Sequence, residues 1–428
     1  MTWRAAAGTS LGLSAMFLVV YGACNWLTSL RADVGTWYFE WERLIPFVPL
    51  MIVPYMSIDL FFVTGPFLCR DRSELRTLAR RIVLAILVAG ACFLLVPLRF
   101  AFVRPETGGW LGAIFDTFRT LDQPYNQFPS LHITLRTILA DLYVRHTAGL
   151  TRAAVHVWFS LIGLSTVLTY QHHVVDLAGG FALATVCFWA IRESPMTLPV
   201  TVNRRVGTYY TGGAAAIVLL ALTAQPWSAV LLWPAAALAV TAAGYFGLGP
   251  GIFRKHDGRL PWSTRLILGP CLLGQHFSLL YYRRRCRAWD EVVPGVLIGC
   301  RLGDAEAARA VRGGVTAVLD LTAEFSEATP FLRLPYLNVP ILDLTAPTDT
   351  QLRAASVFIA EHARIGIVYV HCKIGYSRSA AVVGAHLLAS GRAPSVAEAE
   401  TWLRRARPSI VIRPEAMEAL RRFAPAAP

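Results

Sequence analysis

A histidine followed by a cysteine, with an arginine six positions after the cysteine, stands at His371-Cys372-Lys373-Ile374-Gly375-Tyr376-Ser377-Arg378-Ser379. The apolar run 365–370 before it predicts a buried strand, and 380–390 after it predicts a helix. Backbone N–H groups converge at a helix N-terminus, where they favour a thiolate over a thiol and bind a phosphate dianion. Arg378 adds a planar fork that matches phosphate oxygens. Such a cysteine attacks phosphorus to form a thiophosphate intermediate, and Ser379 donates to the sulfur as that intermediate is released. The leaving oxygen needs a proton, for which Asp343, after the apolar run 340–342, is the candidate acid. Lys373, Gly375 and Ser379 are the expected phosphate contacts.

A second constellation is spread over three segments: Arg104-Pro105, then Asn126-Gln127-Phe128-Pro129-Ser130-Leu131-His132, then Ser165-Thr166 followed by His172-His173-Val174-Val175-Asp176. His172 and Asp176 are four apart and are expected on one helical face, where the carboxylate would fix the imidazole tautomer and raise its basicity. His132 would then be the acid, and Arg104, with Ser130 nearby, the phosphate clamp. His173 is the alternative to His172 but lacks the spacing to Asp176. Asp59, an acid inside an apolar run, has no motif around it and is expected to pack against a polar partner. Phosphoryl transfer by these groups needs no metal, and no cofactor is expected at either site.

The first constellation resembles the dual-specificity branch of the protein tyrosine phosphatase superfamily. With the acidic loop Glu324-Phe325-Ser326-Glu327 and the late Ile412-Arg413-Pro414, the likeness extends to the mitochondrial-type phosphatidylglycerophosphate phosphatases, over about 288–424. That resemblance implies a phospholipid monoester as substrate. The second constellation resembles the type-2 phosphatidic acid phosphatase superfamily, which implies that His172 attacks phosphorus, Asp176 orients it and His132 protonates the leaving group. Pro97 stands where that family has a lysine, and Thr166 where it has an arginine. Phe128-Pro-Ser-Leu-His132 and His172-His-x-x-Asp176 are similar to the inositol phosphorylceramide synthase branch, which transfers a phospho-headgroup between lipids. Hydrolase and transferase both stay open for this site.

Apolar elements must position both sets. The 428-residue chain is 55% hydrophobic and 16% charged, with a mean hydropathy of +0.48, whereas an average soluble chain is about 25% charged. That excludes disorder and a purely soluble enzyme. Eight apolar runs of spanning length are expected near 9–30, 45–66, 81–102, 130–147, 153–171, 174–191, 208–224 and 228–247. Arg70, Arg72, Arg76, Arg80 and Arg81 place the loop between the second and third runs in the cytoplasm, and alternation puts Arg104, His132 and His172 on the outer face. The net charge of +13 divides into +12 for 1–287 and +1 for 288–428. Because the arginines fall between apolar runs, the excess reads as membrane topology, and no nucleic-acid partner is expected. The run 266–282, followed by Arg283, Arg284, Arg285 and Arg287, is expected to lie at the cytoplasmic interface.

From 288 onward short strand-like and helical runs alternate, which predicts a small α/β domain. The expected architecture is therefore multi-domain: an all-α polytopic helical bundle over 1–250, a basic interfacial linker over 251–287, and an α/β cysteine-phosphatase domain over 288–428. The other seven cysteines form no C-x-x-C pair and are expected to be reduced. The arginine- and alanine-rich composition suggests a bacterial inner membrane, with the Cys372 domain cytoplasmic. Phospholipids are the expected partners. Phosphoproteins are the alternative, with the helices then serving only as an anchor.

Overall fold

The computed structural model describes residues 2–121, 123–193, 198–223 and 227–424. The chain divides into two compact units, Met1–Pro195 and Met196–Pro428. The first is helical, with α1 (Trp3–Ser29), α2 (Ile52–Leu68), α3 (Arg72–Leu95), α4 (Gly109–Leu121), α5 (Leu131–Arg145), α6 (Gly149–Leu168) and α7 (Val174–Ala190). Asp71 caps α3 by accepting from the N–H groups of Ser73 at 2.7 Å and Glu74 at 2.9 Å. Ile82, Ala85, Ile86 and Ala89 then fall on one face of α3 and bury against Ile138, Leu139 and Leu142 of α5 and Ile162 of α6.

Among the described residues, six helices are long and apolar enough to cross a membrane: Trp3–Ser29, Pro49–Leu68, Arg72–Leu95, Gly149–Leu168, Arg204–Thr223 and Leu232–Phe253. The chain is an integral membrane protein. The expected span at 174–191 is α7, which is apolar but shorter. The one at 130–147 is α5, whose 15 residues reach roughly 22 Å, short of a hydrocarbon core of about 30 Å. Its charges are held inside the unit: Arg136 Nε donates to the Phe159 carbonyl at 2.6 Å, and Asp141 pairs with Arg145 at 3.1 Å and Arg81 at 3.7 Å.

The second unit opens with α8 (Arg204–Thr223) and α9 (Leu232–Ala243), continues through α10 (Trp262–Ile267) and α11 (Gly269–Arg283), and then forms a sheet. Its strands are β1 (Trp289–Val293), β2 (Val296–Cys300), β3 (Val315–Thr322), β4 (Tyr336–Ile341) and β5 (Ile367–Cys372), in the order β1-β2-β5-β3-β4. All neighbours are parallel except β1 and β2. Helices α12 (Asp304–Arg312), α13 (Asp349–His362), α14 (Ser377–Ala389), α15 (Val396–Ala406) and α16 (Pro414–Phe423) complete the unit. The central β5 is covered on both sides, by Val383 and Leu387 against Val368 and Val370, and by Phe331 against Tyr369. Burial on both faces explains why β5 reads as a continuous apolar run.

The boundary lies at 195/196, where the sequence led us to expect 250. The helices α8 and α9 group with the sheet because hydrogen bonds tie them to it. Asn203 Nδ2 donates to the Leu344 carbonyl at 2.7 Å, Thr201 Oγ1 to Ala346 at 2.8 Å and the Tyr245 hydroxyl to Asp343 at 2.8 Å. The run 266–282 is broken at Leu268, since Pro270 starts a new helix, α11.

Candidate active site

β5 delivers Cys372 to its C-terminal end, and a tight loop leads into α14. Gly375 makes that loop possible: its φ is +76°, and a Cβ there would lie 2.5 Å from the Gly299 carbonyl oxygen. The Gly375 N–H donates to Cys372 Sγ at 3.3 Å. Burial pushes the Cys372 thiol up. The Arg378 charge, the Ser379 hydroxyl and the N–H groups of Ser379 and Ile374 outweigh that and hold it below the usual thiol value. From behind, the buried Arg407 donates to the Ile374 carbonyl at 3.0 Å and to the Arg287 carbonyl at 2.9 Å.

Arg378 donates from both terminal nitrogens to Glu324, at 3.1 and 2.7 Å, and to the Ile341 carbonyl at 2.9 Å. Burial alone would lower its basicity, but Glu324, Asp343 and Cys372 raise it well above the ordinary guanidinium value. Asp343 sits 3.4 Å from Arg378 and bonds Lys373, which also donates to Gln275 at 2.9 Å. Burial pushes the Asp343 carboxyl up, yet Arg378 and Lys373 dominate and bring it down to about 2. Cys372, Lys373, Gly375, Arg378, Ser379 and Asp343 are thus brought together.

Behind Cys372 lies a buried polar cluster that sequence reasoning missed. Lys255 bonds Asp320 and donates to Thr322 at its carbonyl, 3.0 Å, and its hydroxyl, 3.1 Å. Tyr336 donates to Asp320 at 2.8 Å, and His371 Nε2 meets Glu327 at 2.6 Å. Asp320, Glu327 and His371 bring ligand atoms within 4.8 Å of one another, but the Lys255 ammonium already supplies the compensating charge. One sequence signal pointed here: the chain has only two lysines, Lys255 and Lys373. The Lys255 ammonium is a compact charge with three donors, and it uses them on Asp320 and on the carbonyl and hydroxyl of Thr322.

In the first unit, His132 and His172 line one cavity of about 320 Å³ with Asp59, Tyr21, Tyr55 and Asn126. His132 stacks on Tyr55 with centroids 4.2 Å apart. His172 and Asp176 do not share a helical face. α6 ends at Leu168 and α7 begins at Val174, so His172 lies in the connecting turn and Asp176 caps α7 by accepting from the His173 N–H at 2.8 Å. The turn nevertheless brings His172 Nδ1 to 3.6 Å from Asp176. His173 has both ring nitrogens engaged, with Glu42 at 3.0 Å and the Ala101 N–H at 3.1 Å, which removes it as an alternative. Ser130 is fully buried as the cap of α5, accepting from the Ile133 N–H at 3.3 Å. Arg104 stands 5.1 Å over the Phe115 ring and is not among the residues that line the cavity.

Residues 303–425 match the family model of the dual specificity phosphatase catalytic domain, and residues 48–190 match that of the PAP2 superfamily. A curated relative, the phosphatidylglycerophosphate phosphatase PTPMT2 of Arabidopsis thaliana, is 27% identical over 168 residues, covering 37% of this chain and 72% of the relative. Among solved structures, Tk-PTP in its active form is 29% identical over 32% of this chain and 95% of its own, with a TM-score of 0.30. PTPMT1 in complex with PI(5)P is 26% identical over 32% of this chain and 94% of its own, also with a TM-score of 0.30. The polypeptide is a fusion of a PAP2-like membrane segment with a dual-specificity-phosphatase-like domain that resembles the phosphatidylglycerophosphate phosphatases.

Proposed function

We propose that this membrane protein hydrolyses phospholipid monophosphates at Cys372, with a phosphatidylglycerophosphate or a phosphoinositide as substrate. The observation that carries the reading is the set of buried Cys372 and Arg378 with the half-buried Asp343 around one loop. The Cys372 thiolate attacks phosphorus and the P–O bond to the lipid breaks. Asp343 gives its proton to the departing oxygen, and water then cleaves the thiophosphate, with Ser379 donating to the leaving sulfur. Ser379 suits that role because its buried oxygen has no other hydrogen-bond partner. Asp343 is an anion while it holds Lys373 and Arg378. A bound phosphate dianion would engage both cations, weaken their hold on Asp343 and let it take up the proton it needs. The relative's activity on phosphatidylglycerophosphate supports a lipid substrate.

A second reaction is proposed for the first unit: His172 attacks a lipid phosphate or phosphodiester, Asp176 orients it and His132 protonates the leaving group. This site would act as a phosphohydrolase or a headgroup transferase. The positive-inside pattern supports an outer-face position for this site and a cytoplasmic one for Cys372, and the arginine- and alanine-rich composition supports a bacterial inner membrane. Substrate could not pass directly from one face to the other. Purified wild-type and Cys372→Ser protein should be assayed on phosphatidylglycerophosphate and on a phosphotyrosine peptide. Preference for the lipid is expected; preference for the peptide would establish a membrane-anchored signalling phosphatase instead.

A further inference from the structure

Cys372, Lys373, Arg378 and Asp343 form the floor of a cavity of about 710 Å³. One side of its wall comes from outside the sheet domain, from Tyr210 of α8, Pro234 and Leu238 of α9, and Cys271 and Gln275 of α11, all within the same compact unit; Tyr376, Val411, Arg413 and Glu415 of the sheet domain line the other side. Charge lies on the floor and, through Arg413 and Glu415, on the sheet-domain side, while the side made by α8, α9 and α11 carries no charged residue. Gln275 marks the border, accepting from Lys373 at 2.9 Å.

We infer that the wall made by α8, α9 and α11 binds the hydrocarbon chains of the substrate, so that these helices are part of the phosphatase site and more than its anchor. The inference rests on the phospholipid reading above and adds where the lipid lies. Two observations support it. First, Arg204–Thr223 and Leu232–Phe253 are long and apolar enough to cross a membrane, so the wall is continuous with surfaces that meet acyl chains. Tyr210 and Leu238 stand within about two turns of the helix ends at Arg204 and Ala243, the depth of a lipid's first few methylenes. Outward, Leu273 and Phe277 of α11 are 54% and 60% exposed, which extends the apolar path.

Second, residues that flank the same helices hold the loop of the acid. The Asp343 and Leu344 carbonyls accept from Tyr245 and Asn203 at 2.8 and 2.7 Å, and Leu344 has a left-handed φ of 62°. Tyr245 in turn stacks on Tyr210, with centroids 5.5 Å apart. Chain binding at the wall therefore touches the residues that position Asp343.

The test uses full-length Cys372→Ser protein in nanodiscs with a dioleoyl phosphatidylglycerophosphate that carries a diazirine midway along one chain. After irradiation, adducts are expected on 204–243 and 269–283, and unlabelled lipid should compete them away. Adducts only elsewhere, or adducts that do not compete, overturn the inference. A parallel measurement takes Leu238→Trp and Cys271→Phe and compares kcat/KM for dioleoyl and dibutyryl phosphatidylglycerophosphate. The ratio of long to short chain should fall about tenfold or more; an equal change in both substrates also overturns the inference. If either variant fails to fold, the cross-link still decides, since it needs no change in the wall. A wild-type protein that cleaves phosphotyrosine peptide but no lipid removes the proposed function itself, whereas lipid cleavage without wall adducts removes only this inference.

Discussion

At the Cys372 site the reactive groups already have partners: Cys372 with Gly375, Arg378 with Glu324, Asp343 with Lys373. At the other site His132 Nε2, His172 Nδ1 and Asp176 Oδ1 are buried without a hydrogen bond. The first site is preorganised by charge, which its α/β frame can hold rigidly through strand ends and a helix N-terminus. In the first unit the candidate residues are set by packing, with His132 stacked on Tyr55 and His172 placed by a turn, and in the proposed reaction their unpaired atoms would meet the lipid phosphate. The contrast suggests that binding at Cys372 must exchange ion pairs, whereas binding at His132 and His172 supplies missing bonds.

The contrast breaks most sharply if the two sites prove interdependent. Cys372→Ser should lower monoester hydrolysis at least about 10⁴-fold, while His172→Ala should spare that activity and abolish turnover of the second lipid substrate. Steady-state assays of both variants on both substrates check this, and loss of both activities in either variant would unite the sites. Next in size is Lys255→Met, which leaves Asp320 buried without its cation and should destabilise the second unit by about 3–5 kcal/mol, read as an earlier unfolding transition in the thermal scan. Asp343→Asn should slow kcat by about 10²-fold or more on lipids with poor leaving groups. That loss should shrink when the leaving group is a nitrophenol, which departs without a proton.

The smallest effect is on pH dependence. Burial pushes Asp320 up, but Lys255 and His371 outweigh it and lower the group from 3.8 to about 2. Its stabilisation should be complete above about pH 4 and be lost as the pH falls towards 2. For His371, burial is outweighed by Glu327 and Asp320, which raise it above 6.5. Its contribution is complete below pH 6.5 and is lost as the pH rises through the folded value. Unfolding measured across pH should show both limbs in the wild type and a diminished acid limb in Lys255→Met.

Much of the Cys372 site could be read from the chain because its parts are neighbours in sequence: a strand, a turn and a helix bring Cys372, Gly375, Arg378 and Ser379 together, although the braces on that loop, Glu324 and Arg407, come from elsewhere. Asp343 was also legible, since it ends an apolar run. At the second site the residues were identified but their geometry was not, because periodicity cannot show where a helix pauses. A break between Leu168 and Val174 put His172 in a turn, and His173 was decided by Glu42, which is 131 residues away.

Composition alone determined that this is a membrane protein, because burial in hydrocarbon demands long apolar runs whatever the fold. Local spacing determined the phosphate-binding loop, because helix N-termini are short-range structures. Only tertiary structure decided that Lys255, Gln275 and Tyr245 belong to the Cys372 neighbourhood. Their contacts with Asp320, Lys373 and Asp343 span 65, 98 and 98 residues. Contacts at that range are made when α8 to α11 pack on the sheet, and no period or motif in the intervening sequence encodes them.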